Sequence, residues 1–472
     1  MADHDTIAIQ ADGKTAVLGL ARSGLATIKA LGRGDSKVVA WDDNEERRKE
    51  AAKLGAEIAD LGSADFGDIE TLVMAPGVPL THPTPHPAVV QAKAGGTEIV
   101  GDIELLYRAQ PAARYVGITG TNGKSTTTAL IDHILRSAKP EWHSLMGGNI
   151  GQPVLDLPMP TANQPVVLEL SSYQLDLTVN GVFSVACLLN VTPDHLDRHG
   201  GMEGYIEAKK RIFRRGAMVQ HAVVGIDTAP TGTVATELER GGHWKVTRIS
   251  SEGRVEGGVY VLNAVLYDDL DGFDKAICDL LPIETLPGMH NWQNAAAAFA
   301  TCRHLGVEAE AIAEAIATFP GLAHRQQIVG RYKRITFVND SKATNADAAS
   351  KALGSYANIY WIAGGKAKDG GLNGLEGLVD RVEHAFLIGE AADDFAGWCD
   401  GKLESTISST MDKAVEAATA MAVETRKPSI VLLSPACASF DQFDSFEQRG
   451  DVFAKCVEDT IRKRQQALEA QQ

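Results

Sequence analysis

"GITGTNGKSTTTAL", residues 117–130, decides how this chain is read. The strand-like stretch "RYV" precedes it and "STTTALIDHIL" completes it, so a glycine-rich turn lies between a strand and a helix. Backbone N–H groups of such a turn and the positive end of the helix dipole point the same way, which makes an anion site. A standard phosphate loop carries a glycine six residues before its lysine; here that position is Ile118, with Gly117 and Gly120 on either side. Strand and helix are both in place, so the stretch is read as holding a nucleoside triphosphate through Gly120, Thr121, Asn122, Gly123, Lys124, Ser125 and Thr126. Lys124 would reach the outer phosphates and the Ser125 hydroxyl a bound Mg²⁺.

Outward from the loop, 472 residues predict about three domains. The net charge of −16 argues against a polynucleotide or an anionic membrane as partner, while local cations could still hold a small phosphorylated ligand. "MADHDTIAIQ" lacks the basic start and apolar stretch of a secretory signal, and no run approaches the roughly 18 apolar residues of a membrane helix. A cytoplasmic protein is expected. Six cysteines, at 187, 278, 302, 399, 437 and 456, have neither zinc-ribbon nor CxxC spacing and are read as free thiols.

The first hundred residues alternate "TAVLGL", "KVVAWDD", "TLVMAPG" and "TEIVGDIELL" with helical stretches, the rhythm of βαβ units on a parallel sheet. "PVVLELS" and "SVACLLNVT" continue the block that holds the phosphate loop, and residues 214–285, with "AVVGI" and "GGVYVLNAVLY", are read as its antiparallel extension. After "PGLAHRQQ" a third rhythm follows, "RITFVND", "NIYWIAGG", "HAFLIG" and "SIVLLS", closed by a long helix. The expected fold is α/β in three domains: a Rossmann-like domain at 1–109, a P-loop ATPase-type domain at 110–320 and a second Rossmann-like domain at 321–472.

In α/β sheets functional groups gather at the carboxyl ends of strands. Glu169 in "LELSSYQL" stands at one such end, His195 and Asp197 in "NVTPDHLDRHG" just past another. Alone, Glu169 is equally a solvated strand-end acid. Two strand ends beside one phosphate loop point instead to oxygen and nitrogen donors around a magnesium-bound triphosphate.

In the first domain "LGLARSGLA" places Gly19, Ala21 and Gly24 where a dinucleotide fingerprint has three glycines, so the second is replaced. Asp42, 18 residues beyond Gly24, stands where an acid would face a ribose or a base edge. Arg22 could pair with a diphosphate or point to solvent.

Together "GITGTNGKSTT", "GGNIG", "LELSSYQL", "NVTPDHLDRH", "YIEAKKRIF", "LPGMHNWQNAAAA", "HRQQ", "VNDSKATN", "IAGG" and "SPACASFDQFDSFEQRG" resemble the ATP-dependent Mur ligases of peptidoglycan synthesis, in order, over nearly the whole chain. "VNDSKATN" and "SPACASFDQFDSFEQRG" resemble the branch that adds D-glutamate to UDP-N-acetylmuramoyl-L-alanine, and the Asp-Asn-Pro-Arg motif of the diaminopimelate-adding relative is absent from the sequence. The resemblance implies transfer of the ATP γ-phosphoryl group to a carboxylate, attack of the D-glutamate amine on the acyl phosphate, and release of ADP and phosphate.

It also implies roles for residues. Lys124, Glu169, His195, Lys209 and Lys342 would be catalytic, with Ser125, Glu169, His195 and a carbamylated Lys209, rather than its neighbour Lys210, around two Mg²⁺ ions. Asn291, Asn294, His324, Arg325 and Asp340 would approach ATP. Ala21, Arg22, Ser23, Asp42, Asp43, Asn44, Gly77 and Asn149 would hold the UDP substrate. Thr344, Lys368, Ser439 and Phe446 would hold D-glutamate, with Lys368 preferred to Lys366 on spacing and Phe446 equally readable as a core helix residue. A monomer whose site is complete only after domain closure is expected. A folylpolyglutamate-synthase-like enzyme, a nicotinamide-dependent dehydrogenase and a non-catalytic nucleotide-binding module are the alternatives; the first conflicts with the UDP-type domain, and the second leaves the phosphate loop unexplained.

Overall fold

The computed structural model describes residues 6–11, 13–217, 219–368 and 370–469; residues 1–5 of the N-terminal stretch and Asp369 of "GGKAKDGG" lie outside the described residues. The chain divides into two compact units, Met1–Leu280 with Trp292–Thr318, and Leu281–Asn291 with Phe319–Gln472.

The first unit holds two sheets. β1 (Lys14–Leu18), β2 (Val38–Trp41), β3 (Glu57–Ile58), β4 (Ile69–Met74) and β5 (Glu98–Val100) form a parallel sheet in the order β3-β2-β1-β4-β5. The order reverses between β1 and β4, and an open α/β sheet binds ligands outside the carboxyl ends of its strands at such a point. "TEIVGDIELL", expected as one strand, splits into β5 and a helix Asp102–Ala109. Gly101 caps that helix, and Asp102 and Glu104 sit in its first turn, where the dipole favours acids.

Glu104 is fully buried and joins the two sheets' connections by accepting bonds from the Val179, Asn180 and Gly181 N–H groups and from Arg108. Burial alone would raise its pKa; those donors outweigh it and hold the carboxyl below its usual range.

The second sheet contains β6 (Arg114–Thr119), β7 (Leu145–Gly148), β8 (Pro165–Glu169), β9 (Val185–Leu188), β10 (Gln220–Gly225), β11 (Trp244–Ser250), β12 (Val259–Leu262), β13 (Val265–Asp268) and β14 (Lys275–Asp279), in the order β14-β13-β12-β11-β10-β9-β6-β8-β7. β6 is central, between β9 and β8, so its following loop is flanked by two other strand ends. The antiparallel reading of residues 214–285 is corrected: β10, β11 and β12 continue the parallel sheet, and only β12-β13-β14 alternate direction. "GGVYVLNAVLY" is a hairpin rather than one strand, turning at Asn263 (φ 52°) and Ala264 (φ 63°). Two residues at positive φ match the twist of a tight hairpin, but the usual Asn-Gly cue is missing because alanine fills the second place.

The second unit has one sheet, β15 (Gln327–Tyr332), β16 (Ile335–Asn339), β17 (Ile359–Gly364), β18 (Val382–Ile388), β19 (Ser405–Ser409) and β20 (Ser429–Leu433), in the order β15-β16-β20-β17-β18-β19. β15 is antiparallel and the rest parallel. One apolar cluster around Trp361, Leu387 and Leu432 covers one face, and another around Phe337, Phe386 and Val431 covers the other. That double burial explains the continuous apolar runs of β17 and β20.

Candidate active site

The loop after β6 runs straight into the helix Lys124–Ala138. Gly123 caps that helix at φ 86°, and a Cβ there would strike the Asn294 side-chain oxygen. Only glycine meets both demands without strain. The loop is fastened to the end of β9: Thr121 N–H donates to Asn190 O (2.9 Å), Asn122 N–H to Asn190 Oδ1 (2.9 Å), and Thr121 Oγ1 to Thr192 O (3.1 Å). Asn294 accepts from Thr127 Oγ1 at 3.2 Å, so it braces the helix that carries Lys124 and Ser125. Lys124 Nζ donates back to Gly120 O (3.0 Å) and Thr121 O (2.8 Å).

A second lysine meets the same carbonyl. Lys209, on the helix Met202–Lys210, is 1% exposed and its Nζ donates to Gly120 O at 2.9 Å. Burial, and then the charge of Lys124, draw its pKa well below the usual lysine range. Lys210 is instead paired with Glu207 (2.7 Å) and Glu237 (3.0 Å) at the surface. Helical geometry explains the difference: adjacent residues point about 100° apart, and only Lys209 shares a face with Tyr205, over whose ring its Nζ lies at 4.6 Å.

Glu169 ends β8 at 2% exposure. Its Oε1 accepts from Asn149 Nδ2 at 3.1 Å, while its Oε2 is buried with no hydrogen-bond partner. An uncompensated buried carboxylate oxygen is costly, and a cation would relieve it. His195, at φ 52°, caps the helix Leu196–His199; its ring lies 5.2 Å from that of Tyr173, and its Nε2 is 3.4 Å from Asp194. Burial lowers its pKa; Asp194 opposes this, and Lys124 and Lys209 reinforce it. Among the described residues no three His, Cys, Asp or Glu side chains gather as a metal cluster. The expected ligand set has only Glu169 and His195 of those types, and the remaining donors are a hydroxyl and a modified lysine.

The sequence reading missed the support beneath His195. His199 is buried, with Nε2 2.9 Å from Ser172 Oγ and its ring stacked on Tyr173 at 5.3 Å. Burial, then Lys209, pulls its pKa to about 4. The Arg198 guanidinium lies over the Tyr173 ring at 4.7 Å and donates to Gly77 O at 3.1 Å, so the loop after β4 is tied to the edge of the phosphate site. Ser172, Tyr173, Arg198 and His199 lie within "SSYQL" and "DHLDRH", and the signal available was the tyrosine of the first and the second histidine of the other.

In the first sheet, Ala21 caps the helix Arg22–Arg33 without a side-chain bond, and the Ser23 carbonyl accepts from Thr27 Oγ1 within that helix. Arg22 is exposed, and its guanidinium donates to Gly151 O, the last residue of the "GGNIG" stretch, at 2.9 Å. Asp42 accepts from Leu20 N–H (2.6 Å) and Asn44 N–H (2.8 Å). Burial would raise its pKa, but these bonds and Arg47 win, leaving it below the usual range. Asn44 caps the helix Glu45–Lys53 through its side chain, and the Asp43 carbonyl accepts from Arg48.

In the second unit, Lys342 N–H donates to His324 O (3.1 Å), and Lys342 Nζ lies 5.0 Å from the Phe446 ring centre. His324 stands edge-on to the same ring at 6.2 Å. Asp340 accepts from Ser434 Oγ (2.8 Å) and Gln326 N–H (3.2 Å), and burial raises its pKa to about 7 despite those bonds and the charge of Arg325. Thr344 N–H donates to Lys342 O. Ser439 is buried, and Lys366 exchanges backbone bonds with Ala438 beside it, which leaves Lys368 exposed two residues further on. Phe446, half-buried at the first position of the helix Phe446–Glu469, is not a core residue. Asn291 belongs to this unit and donates from Nδ2 to Pro287 O, unlike Asn294 one turn later.

Residues 118–302 match the Mur ligase middle domain. A protein of Paramagnetospirillum magneticum named UDP-N-acetylmuramoylalanine--D-glutamate ligase is 50% identical over 94% of this chain and 95% of its own length. The chain belongs to the Mur ligase family. A Caulobacter vibrioides protein of the same name is 47% identical over 94% of this Mur ligase and 96% of its own length. The fold likeness extends to a MurF ligase from Thermotoga maritima solved in complex with ADP, with a TM-score of 0.57 and 16% identity over 91% of this Mur ligase and 95% of that chain.

Proposed function

We propose that this Mur ligase joins D-glutamate to UDP-N-acetylmuramoyl-L-alanine at the expense of ATP. Two supports are identity of about half to relatives of that name and the phosphate loop built into the centre of the second sheet. A carboxylate oxygen of the UDP substrate attacks the γ-phosphorus, the bond to the bridging oxygen of ADP breaks, and an acyl phosphate forms. The D-glutamate amine then adds to the acyl carbon, a proton leaves the nitrogen, and the carbon–oxygen bond to phosphate breaks. Positioning and charge neutralisation do most of the work in phosphoryl transfer.

The observation that carries the reading is Lys209. A buried amine 2.9 Å from Gly120 O, beside Lys124, is disfavoured as a cation and available as a neutral nucleophile toward CO₂. Carbamylation would turn that amine into an anionic group at the loop. Ser125, Glu169 with its unpartnered Oε2, His195 and carbamylated Lys209 would then suit two Mg²⁺ ions, which when bound supply charge neutralisation for the transferring phosphoryl group.

Of this chain's own residues, the loop 120–126 and the Lys124 ammonium would bind the triphosphate once its oxygens displace the carbonyls that Lys124 now contacts. Asn291, Asn294, His324, Arg325 and Asp340 are assigned to ATP, and Lys342 to the transferring phosphate. The carboxyl ends of the first sheet, with Ala21, Arg22, Ser23, Asp42, Asp43, Asn44, Gly77 and Asn149, are assigned to the UDP substrate. Thr344, Lys368, Ser439 and Phe446 are assigned to D-glutamate. We keep the division 1–109, 110–320 and 321–472 for these three tasks, in a monomer. Among the described residues no helix is long and apolar enough to cross a membrane.

Phosphate release from ATP with UDP-N-acetylmuramoyl-L-alanine, compared among D-glutamate, L-glutamate, meso-diaminopimelate and L-lysine, tests the reading. Release dependent on D-glutamate alone is the expected result. Release with another amino acid would move the substrate assignment, and none at all would reduce the loop to a binding site.

A further inference from the structure

Arg449, on the helix Phe446–Glu469, is 0% exposed. Its Nε donates to Ser341 Oγ (2.9 Å), Nη2 to Ser341 O (2.7 Å) and Nη1 to Cys437 O (3.0 Å). Ser341 Oγ in turn donates to Phe446 O at 2.8 Å. Nη1 also lies 3.2 Å from where a Cβ would stand on Gly365, whose φ of 130° favours glycine in any case.

Four segments therefore meet on one side chain. Ser341 directly precedes Lys342 and stands three residues before Thr344, Cys437 stands two before Ser439, Gly365 three before Lys368, and Phe446 opens Arg449's own helix. The acceptors are a hydroxyl and two carbonyls, none of them charged. Asp441 is the acid whose field reaches the guanidinium, but one of its oxygens accepts instead from Glu390 N–H at 3.0 Å. Burial draws the guanidinium's pKa only to about 10, so it stays charged at neutral pH. A buried cation held by neutral groups is expensive for stability alone.

We propose that Arg449 is the positioning residue of the amino-acid site. Its planar fork sets the turn at 341–344 and the turn at 437–439 in register with Phe446, and its buried charge, which no carboxylate contacts directly, makes that part of the second unit attractive to a dicarboxylate. This rests on the D-glutamate reading above. Lysine keeps the charge and loses the fork; methionine loses both.

The test compares Arg449→Met, Arg449→Lys and Ser341→Ala in the full chain, with thermal melting to confirm folding and KM measured separately for the amino acid and for ATP. Arg449→Met is expected to raise the amino-acid KM about 30-fold with the ATP KM within about twofold, and Arg449→Lys to recover part of that loss. Equal rises in both KM values, or no rise in either, would overturn the proposal. If Arg449→Met does not fold, the lysine and Ser341→Ala variants carry the same comparison. Should the wild type use a different amino acid, the D-glutamate reading fails, and the split measured with that amino acid still decides the role of Arg449.

Discussion

Two glycine-bearing turns, one after β1 and one after β6, both lead from a central parallel strand into a helix, yet they treat charge in opposite ways. After β1 the Leu20 N–H is already taken by the Asp42 carboxylate at 2.6 Å, so the turn carries its own anion. After β6 no acid fills the turn; Lys124 and Lys209 instead converge on Gly120 O. A turn that holds a carboxylate repels phosphate and suits neutral donors such as hydroxyls or a base edge, whereas one facing the Lys124 ammonium attracts a polyphosphate. The same local arrangement of strand, turn and helix would thus suit two ligands, and the charged side chains brought to the turn, Asp42 in one and Lys124 in the other, decide which.

The largest effect that would break this comparison is at the second turn. Lys124→Ala should lower ATP-dependent phosphate release by about 1,000-fold, since a positioned cation on the transferring group is removed. Loss of less than tenfold, in the same phosphate assay, would deny the turn its role.

Next in size, Asp42→Asn should raise KM for the UDP substrate about tenfold, ~1.4 kcal/mol, and leave KM for ATP unchanged. An equal change in both would mean that Asp42 only supports the fold. The smallest effect is at Arg22: its exposed bond to Gly151 O is worth about 1 kcal/mol at most, so Arg22→Ala should raise the UDP-substrate KM by no more than about fivefold. A far larger rise would place the guanidinium on the diphosphate and bring the first turn closer in character to the second.

Much of this was legible beforehand where local chemistry and fold agree. "GITGTNGKSTT" declares its strand, turn and helix in one stretch, and β1, β2, β4, β16, β17, β18 and β20 are apolar runs that parallel burial requires. What stayed hidden depends on contacts distant in sequence. Nothing in "FEQRG" says that Arg449 turns inward to reach Ser341, 108 residues away. The polar edge strand β19, "STISS", has no apolar run to announce it. β11, and with it the parallel direction of "AVVGI" in β10, was hidden because the helix between them, "APTGTVATELERG", is rich in threonine and glycine, which are poor helix formers.

Lys209 gives the most direct test of the account. Lys209→Ala should abolish ligation while leaving the chain folded, and short carboxylic acids such as formate or acetate should restore part of the activity by standing in for the carbamate beside Gly120. Activity close to wild type without any added acid would contradict the account.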